Sequence, residues 1–217
     1  RALSGAILLA LAACSRMVHP ATAPPPAKAY IGLFKDNAVA VLDTGSNHVL
    51  RTIPIPPGPH GLVVTRDGRK VYVSSDGAST VSIIETAIDR VTGSIEVGST
   101  PHGLALSPDG RQVLVAGFGT NQVIIIDTAT DRVAGSVPVP QPHNSAISPD
   151  GRTAYVASQQ QGRTALVILD LVNKVQVGSV PLEKTPRALD ISPDGKWVYF
   201  TVAGADAVQV LDRATNR

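Results

Sequence analysis

Short apolar segments alternate with turn residues along most of the chain. One stretch shows the pattern in full, with apolar segments at residues 103–107, 112–116, 122–127 and 132–139. The first two are joined by Ser107-Pro108-Asp109-Gly110, where proline suits the first corner of a tight turn and glycine the left-handed residue after it. The third segment is continuously apolar, which is typical of a strand covered on both faces. The pattern predicts four antiparallel strands, called a to d in chain order.

The four-strand pattern repeats with a nearly constant period. Pro-His-Gly or a near match opens each copy, at prolines 42, 41 and 44 residues apart, namely Pro59, Pro101, Pro142 and Pro186. An Asp-Gly pair follows strand a at the same intervals, at Asp67, Asp109, Asp150 and Asp194. An acidic residue ends each strand c, at Asp43, Glu85, Asp127, Asp170 and Asp212. Repeats of about 40–50 residues built from four strands predict an all-β fold of the β-propeller type.

Several repeat motifs resemble those of the YVTN-type β-propeller family. Ser-Pro-Asp-Gly precedes strand b, Asp-Thr-Ala-Thr follows strand c, and strand b itself carries Tyr72-Val73-Ser74-Ser75 and its counterparts starting at Tyr155 and Tyr199. The resemblance covers residues 28–217, although the usual asparagine at the fourth position of the tetrapeptide is not present. Propellers of this family commonly have seven blades. The resemblance therefore implies an incomplete arc of about five blades, from a longer protein.

The repeat markers also divide the chain. We expect a partial first blade over residues 28–57, without strand a, and a partial last blade over 185–217, without strand d. Three full blades lie between them, at residues 58–99, 100–140 and 141–184. This organisation predicts eighteen strands. Tyr72, Tyr155 and Tyr199 share one position of strand b, so we expect all three in the core.

The residues before the repeats suggest export and lipidation. Residues 6–13 form a short apolar run, and Leu11-Ala12-Ala13-Cys14 resembles the lipobox of bacterial lipoproteins. The alternative is a plain signal peptide with an incidental cysteine. The resemblance implies a signal segment over residues 1–14 with the lipid on Cys14, and Ser15 after it implies sorting to the outer membrane. Residues 15–27 are rich in proline and alanine, as expected of an extended tether. We therefore expect a cell-envelope protein attached to the membrane by lipid.

Composition argues against a nucleic-acid partner and against a transmembrane helix. The formal net charge is +2, from 19 basic and 17 acidic residues that are scattered along the chain, so no nucleic-acid surface is expected. Aromatic residues make up only 4% of the chain and hydrophobic residues 43%, which predicts a core of Val, Ile, Leu and Ala. No run of 18 apolar residues occurs, so no transmembrane helix is expected.

The candidate binding residues are His60, His102, His143 and Arg187, which occupy equivalent places in the repeat. The d–a connections and b–c loops share one face of a propeller, and there the loop sequences diverge, as binding loops do. At that face these residues would circle the central channel and could bind a metal, haem or an anion. The alternative, which we favour from the repeat, is that each histidine braces its blade junction by bonding a backbone carbonyl. A metal needs ligand atoms within roughly 4–5 Å of one another, and a seven-fold channel is expected to hold the rings farther apart. We thus expect no metal and no cofactor.

No catalytic motif is found in the sequence. A nucleophile elbow, a phosphate loop, paired metal-ligand spacing and a haem-attachment motif are all lacking, and we assign no catalytic residue. The leading hypothesis is a non-enzymatic, lipid-anchored propeller that binds a small molecule or a protein through its d–a/b–c face. The alternatives are a lactonase-like hydrolase and a redox-associated envelope propeller that works with haem or a dehydrogenase.

Overall fold

The computed structural model describes residues 27–217, and it consists almost entirely of β-strands. The strands are β1 (Lys28–Leu33), β2 (Ala38–Asp43), β3 (His48–Pro54), β4 (Pro59–Val64), β5 (Lys70–Ser75), β6 (Thr80–Glu85), β7 (Arg90–Glu96), β8 (Pro101–Leu106), β9 (Gln112–Gly117), β10 (Gln122–Asp127), β11 (Arg132–Pro138), β12 (Pro142–Ile147), β13 (Thr153–Ser158), β14 (Ala165–Asp170), β15 (Val175–Pro181), β16 (Pro186–Ile191), β17 (Trp197–Val202) and β18 (Val208–Asp212). One short 3-10 turn, Phe34–Asp36, is the only helical segment in this range. The signal segment, Cys14 and the tether as far as residue 26 lie outside the described residues.

The strands form five antiparallel sheets, each made of consecutive strands. The first and last sheets have three strands, β1-β2-β3 and β16-β17-β18, and the three between them have four. We call these sheets blades 1 to 5. Strand a of one blade contacts strand a of the next, as β4 does with β8, β8 with β12 and β12 with β16. These strands therefore lie innermost, and the prediction of an arc of about five propeller blades is confirmed.

The turns between strands have the chemistry predicted from the repeat. In the a–b turn of blade 3, the Asp109 carboxylate accepts hydrogen bonds from the Ser107 hydroxyl at 2.6 Å and from the Arg111 amide at 3.0 Å. Gly110 adopts a φ of 74°, the left-handed conformation that glycine tolerates best. In the c–d turn, Asp127 accepts from the amides of the second and third residues after it. These aspartates shape turns, and nearly identical copies occur in the other blades.

The hydrophobic core lies between neighbouring blades. The cluster between blades 3 and 4, for example, contains Leu114, Ile125 and Val137 on one side and Val156 and Leu169 on the other. Three further clusters fill the other blade junctions in the same way. Small β-branched and aliphatic side chains fill these junctions because two sheet faces must approach closely.

The burial of the strand-b tyrosine depends on whether a neighbouring blade covers it. Tyr72 and Tyr155 are buried between blades, whereas Tyr199 in the last blade is exposed together with Trp197 and Val210. The sequence pattern predicts all three tyrosines as core residues, so this expectation is wrong for Tyr199. In the described chain no sixth blade packs on the outer face of blade 5.

Adjacent blades are also joined by a polar clip. In blade 2, Lys70 forms an ion pair with Asp131 of blade 3 at 2.7 Å, and the hydroxyl of Tyr72 donates a hydrogen bond to the same carboxylate. Burial, followed by the hydrogen bond to Asp131, raises the pKa of the Tyr72 phenol. The equivalent residues one blade earlier are Lys28, Tyr30 and Asp89. No helix between residues 27 and 217 is long and apolar enough to cross a membrane.

Candidate ligand-binding site at the channel mouth

Each predicted site residue lies in a β-bulge at the start of strand a. The pairing register between strands a and b shifts after the first proline of every full strand a, so that the next two residues stand outside the regular ladder. These two residues are His60-Gly61, His102-Gly103, His143-Asn144 and Arg187-Ala188. A bulge redirects side chains, and such bulges are common beside functional sites. The bulge therefore gives the three histidines a conformation distinct from that of a regular strand.

The glycine after the histidine allows neighbouring blades to approach closely. A Cβ atom at Gly61 would lie 2.7 Å from the carbonyl oxygen of His102, and one at Gly103 would lie 2.8 Å from that of His143. Both distances are shorter than a carbon atom tolerates next to backbone. The hydroxyl of Ser74, which is fully buried, accepts the Gly61 amide at 2.8 Å and donates to the His102 carbonyl. Glycine and serine together hold two innermost strands against each other.

This close approach brings the three histidines together. The ring of His60 stacks on that of His102 with centroids 4.5 Å apart, and the ring of His143 stands edge-on to both at 5.2 and 4.9 Å. Ligand nitrogens of all three lie within 4.8 Å of one another. The expectation that the channel holds these rings too far apart for one ion is therefore wrong. An open channel would separate the rings, but the glycines after His60 and His102 allow the innermost strands to approach closely.

The histidines were also expected to brace the blade junctions by bonding backbone carbonyls, and the structure does not show these bonds. Among the hydrogen bonds of residues 27–217, none joins a ring of these three histidines to a backbone carbonyl. The ring of His143 contacts the side-chain amide of Asn144 at 3.1 Å, and the Nδ1 atom of His102 is buried without a partner. A bracing histidine would use its ring nitrogens, so these rings are better suited to bind something else.

Burial keeps the imidazoles neutral. It lowers the pKa of His102 to about 4, with a further contribution from His60, and it lowers the pKa of His143 to about 4, with contributions from His102 and His60. The pKa of His60, whose ring is the most exposed of the three, is lowered in the same direction by burial, and Asp76 partly offsets the effect. Neutral imidazoles retain a lone pair, which a cation or a hydrogen-bond donor can use.

Arg187 belongs to the same mouth. Its guanidinium charge contributes to lowering the pKa of all three histidines, and its backbone carbonyl accepts a hydrogen bond from Asn144 at 3.5 Å. The side chain itself is exposed. The four predicted site residues thus lie at equivalent positions of three neighbouring inner strands and the next one, with Arg187 and His60 exposed and His102 and His143 largely shielded.

Three neighbours of the cluster were not predicted from the sequence. Phe118 stacks on the far side of His102 with centroids 4.7 Å apart, and an Asp76 carboxylate oxygen lies 4.0 Å from the Nε2 atom of His102. Both residues lie in b–c loops, where the repeats diverge most. Asn144 replaces the glycine of the Pro-His-Gly motif, and this departure was the one sequence signal that pointed to it.

Comparison with known proteins supports the fold. A family profile described as YNCE-like beta-propeller matches residues 30–107. Among solved structures, this chain is similar to a chain from Kuenenia stuttgartiensis hydrazine synthase, with a TM-score of 0.80 and 23% sequence identity. The alignment covers 86% of this chain and 60% of that one, so this chain spans less than two thirds of its length. No curated protein sequence gives a significant match. These similarities establish a β-propeller.

Proposed function

We propose that this chain is a ligand-binding β-propeller whose site is the channel mouth formed by His60, His102, His143 and Arg187. The observation that carries the proposal is the convergence of three uncharged imidazoles whose ring nitrogens bond no backbone carbonyl in the described chain. Buried polar atoms nearly always have a hydrogen-bond partner in proteins. The buried Nδ1 atom of His102 has none, which is typical of a ligand-binding site in its unliganded state.

Binding is favoured over acid–base catalysis by the same electrostatics. An efficient general base has a pKa near the working pH, whereas His102 and His143 have pKa values of about 4. The nearest carboxylate, that of Asp76, is 4.0 Å from His102, which is longer than the hydrogen bond of a catalytic pair. The lactonase-like alternative therefore gains no support from the geometry.

The experiment is native mass spectrometry of the purified chain mixed with a small-molecule extract of the bacterial periplasm. We expect an adduct with the wild-type protein that is lost in His143→Ala and in Arg187→Ala. Ala129→Ser is the matched control, because Ala129 is exposed in a c–d turn on the opposite face. An adduct that persists in both site variants, or no adduct at all, would contradict the proposal. A Soret absorbance from bound haem would instead favour the redox alternative.

We further propose that the protein acts in the cell envelope, held to the membrane by a lipid on Cys14. The support is the lipobox-like sequence Leu11-Ala12-Ala13-Cys14 and the proline-rich segment after it. Cys14→Ser should leave an uncleaved precursor or a soluble protein. A variant that still fractionates as a processed lipoprotein would rule out this anchoring.

A further inference from the structure

We infer that His60, His102 and His143 together bind one divalent transition-metal ion of the zinc and copper class, with a coordination position left open toward the channel mouth. The inference rests on the proposed function, because it names the ligand class of the same site. Its first support is geometric. Three histidines from three different blades place ring nitrogens within 4.8 Å of one another.

The unligated arrangement must change at one ring to hold an ion. Metal–imidazole bonds are about 2.0–2.1 Å, so nitrogens that share one tetrahedral ion lie roughly 3.4 Å apart. Because His60 and His102 stack nearly in parallel, at 7°, their lone pairs do not meet at one point in this conformation. The ring of His60 is exposed and makes no hydrogen bond among the described residues, so it is the ring that turns toward the other two.

The surroundings of His102 hold that ring in place for coordination. Phe118 packs against one face of the ring, and the ring is largely shielded from solvent. The Asp76 carboxylate oxygen lies 4.0 Å from Nε2, too far for a hydrogen bond, but its negative charge favours the tautomer with the proton on Nε2. That tautomer leaves a lone pair on Nδ1, the buried atom that has no partner. A metal ion would supply the missing partner.

The donor set determines the class of metal. Three imidazoles and no oxygen ligand suit Zn²⁺, Cu²⁺, Ni²⁺ or Fe²⁺, whereas Ca²⁺ and Mg²⁺ require mainly oxygen donors. Three protein ligands leave a tetrahedral ion one position short, and such open sites bind water or an exogenous ligand. Arg187 follows Pro186 at the start of the neighbouring strand β16 and is exposed, so we expect its positive charge to favour an anionic fourth ligand.

The test is metal titration of the purified, tag-free full chain after treatment with a chelator. Zn²⁺ alone and Cu²⁺ alone are titrated by calorimetry, and Co²⁺ is added separately to obtain the visible spectrum of the bound ion. His48→Ala is the matched control, because His48 is exposed in strand β3, outside the cluster. We expect one Zn²⁺ or Cu²⁺ per chain. His60→Ala, His102→Ala and His143→Ala should each weaken binding by more than about tenfold, since even loss of an outer-shell partner typically costs 10–100-fold.

Melting curves recorded in chelator establish that each variant is folded, and His143→Gln replaces His143→Ala if the latter is not. The inference is overturned if the wild type binds no stoichiometric Zn²⁺ or Cu²⁺. It is also overturned if the His48 variant loses as much affinity as the site variants. Loss of metal binding alone, with the extract adduct still dependent on His143 and Arg187, would end the metal inference and leave the proposed function standing. Loss of both would end both.

Discussion

The hydroxyl of Ser74 should contribute far more to stability than that of its neighbour Ser75. Both side chains are fully buried in strand β5. Ser74 accepts a hydrogen bond from the Gly61 amide at 2.8 Å and donates one to the carbonyl of His102, which belongs to the next blade. Ser75 has no partner for its hydroxyl. The two residues are therefore neighbouring, fully buried serines, of which one is hydrogen-bonded and the other is not.

The expected effects of Ser74→Ala and Ser75→Ala follow from these contacts. Ser74→Ala leaves the buried Gly61 amide and the partly buried His102 carbonyl without a partner. An unpaired buried group costs about 1–3 kcal/mol, and a partly buried one costs less. We expect it to lower the free energy of unfolding by about 2–4 kcal/mol. Ser75→Ala removes a hydroxyl that is already unsatisfied, so it should be neutral or stabilise by up to about 1 kcal/mol.

Urea unfolding of metal-free protein, followed by far-ultraviolet circular dichroism, measures both effects. The change in free energy is the shift of the midpoint multiplied by a common slope, and an altered slope would show a change in the unfolding process itself. The reasoning is refuted if Ser74→Ala unfolds within about 0.5 kcal/mol of the wild type, a difference that extrapolation from urea barely resolves. Equal destabilisation by Ser74→Ala and Ser75→Ala would refute it as well.

Two further predictions concern the blade clip and the response to acid. Tyr72→Phe removes the hydrogen bond to Asp131 and should lower the free energy of unfolding in urea by about 1–3 kcal/mol. Tyr199→Phe, at an exposed position, should leave it unchanged. Equal effects of the two substitutions would argue against the clip. His102 and His143 have pKa values of about 4 when folded, against an ordinary 6.5. Below pH 6.5 the unfolded chain takes up protons first, so the stability of the metal-free protein should be full above pH 6.5 and fall as the pH drops toward 4. His143→Gln should flatten this slope in melting temperature, and a wild type whose melting temperature stays constant over the interval would contradict the assignment.

The sequence by itself determined the repeat, the strands and the turns. Its signals are local: the Ser107-Pro108-Asp109-Gly110 turn forms from its own side chains, and the Asp127 carboxylate caps amides two and three residues away. A continuous apolar run such as that of strand β10 also predicts a buried strand, even when the sheets that cover it are not known. Because such interactions span only a few residues, their spacing along the chain is enough to predict the blades.

Tertiary structure alone decided how the blades meet. The distance between His60 and His102 depends on Gly61, whose lack of a side chain matters only because the His102 carbonyl of another blade lies against it. The core role of a strand-b tyrosine likewise depends on a neighbouring sheet, which covers Tyr72 but not Tyr199. Contacts between residues about 40 positions apart are fixed by the packing of whole sheets, and local sequence spacing carries no measure of that distance. The repeat placed the four site residues at equivalent positions, and the close packing of the innermost strands turned three of them into a cluster.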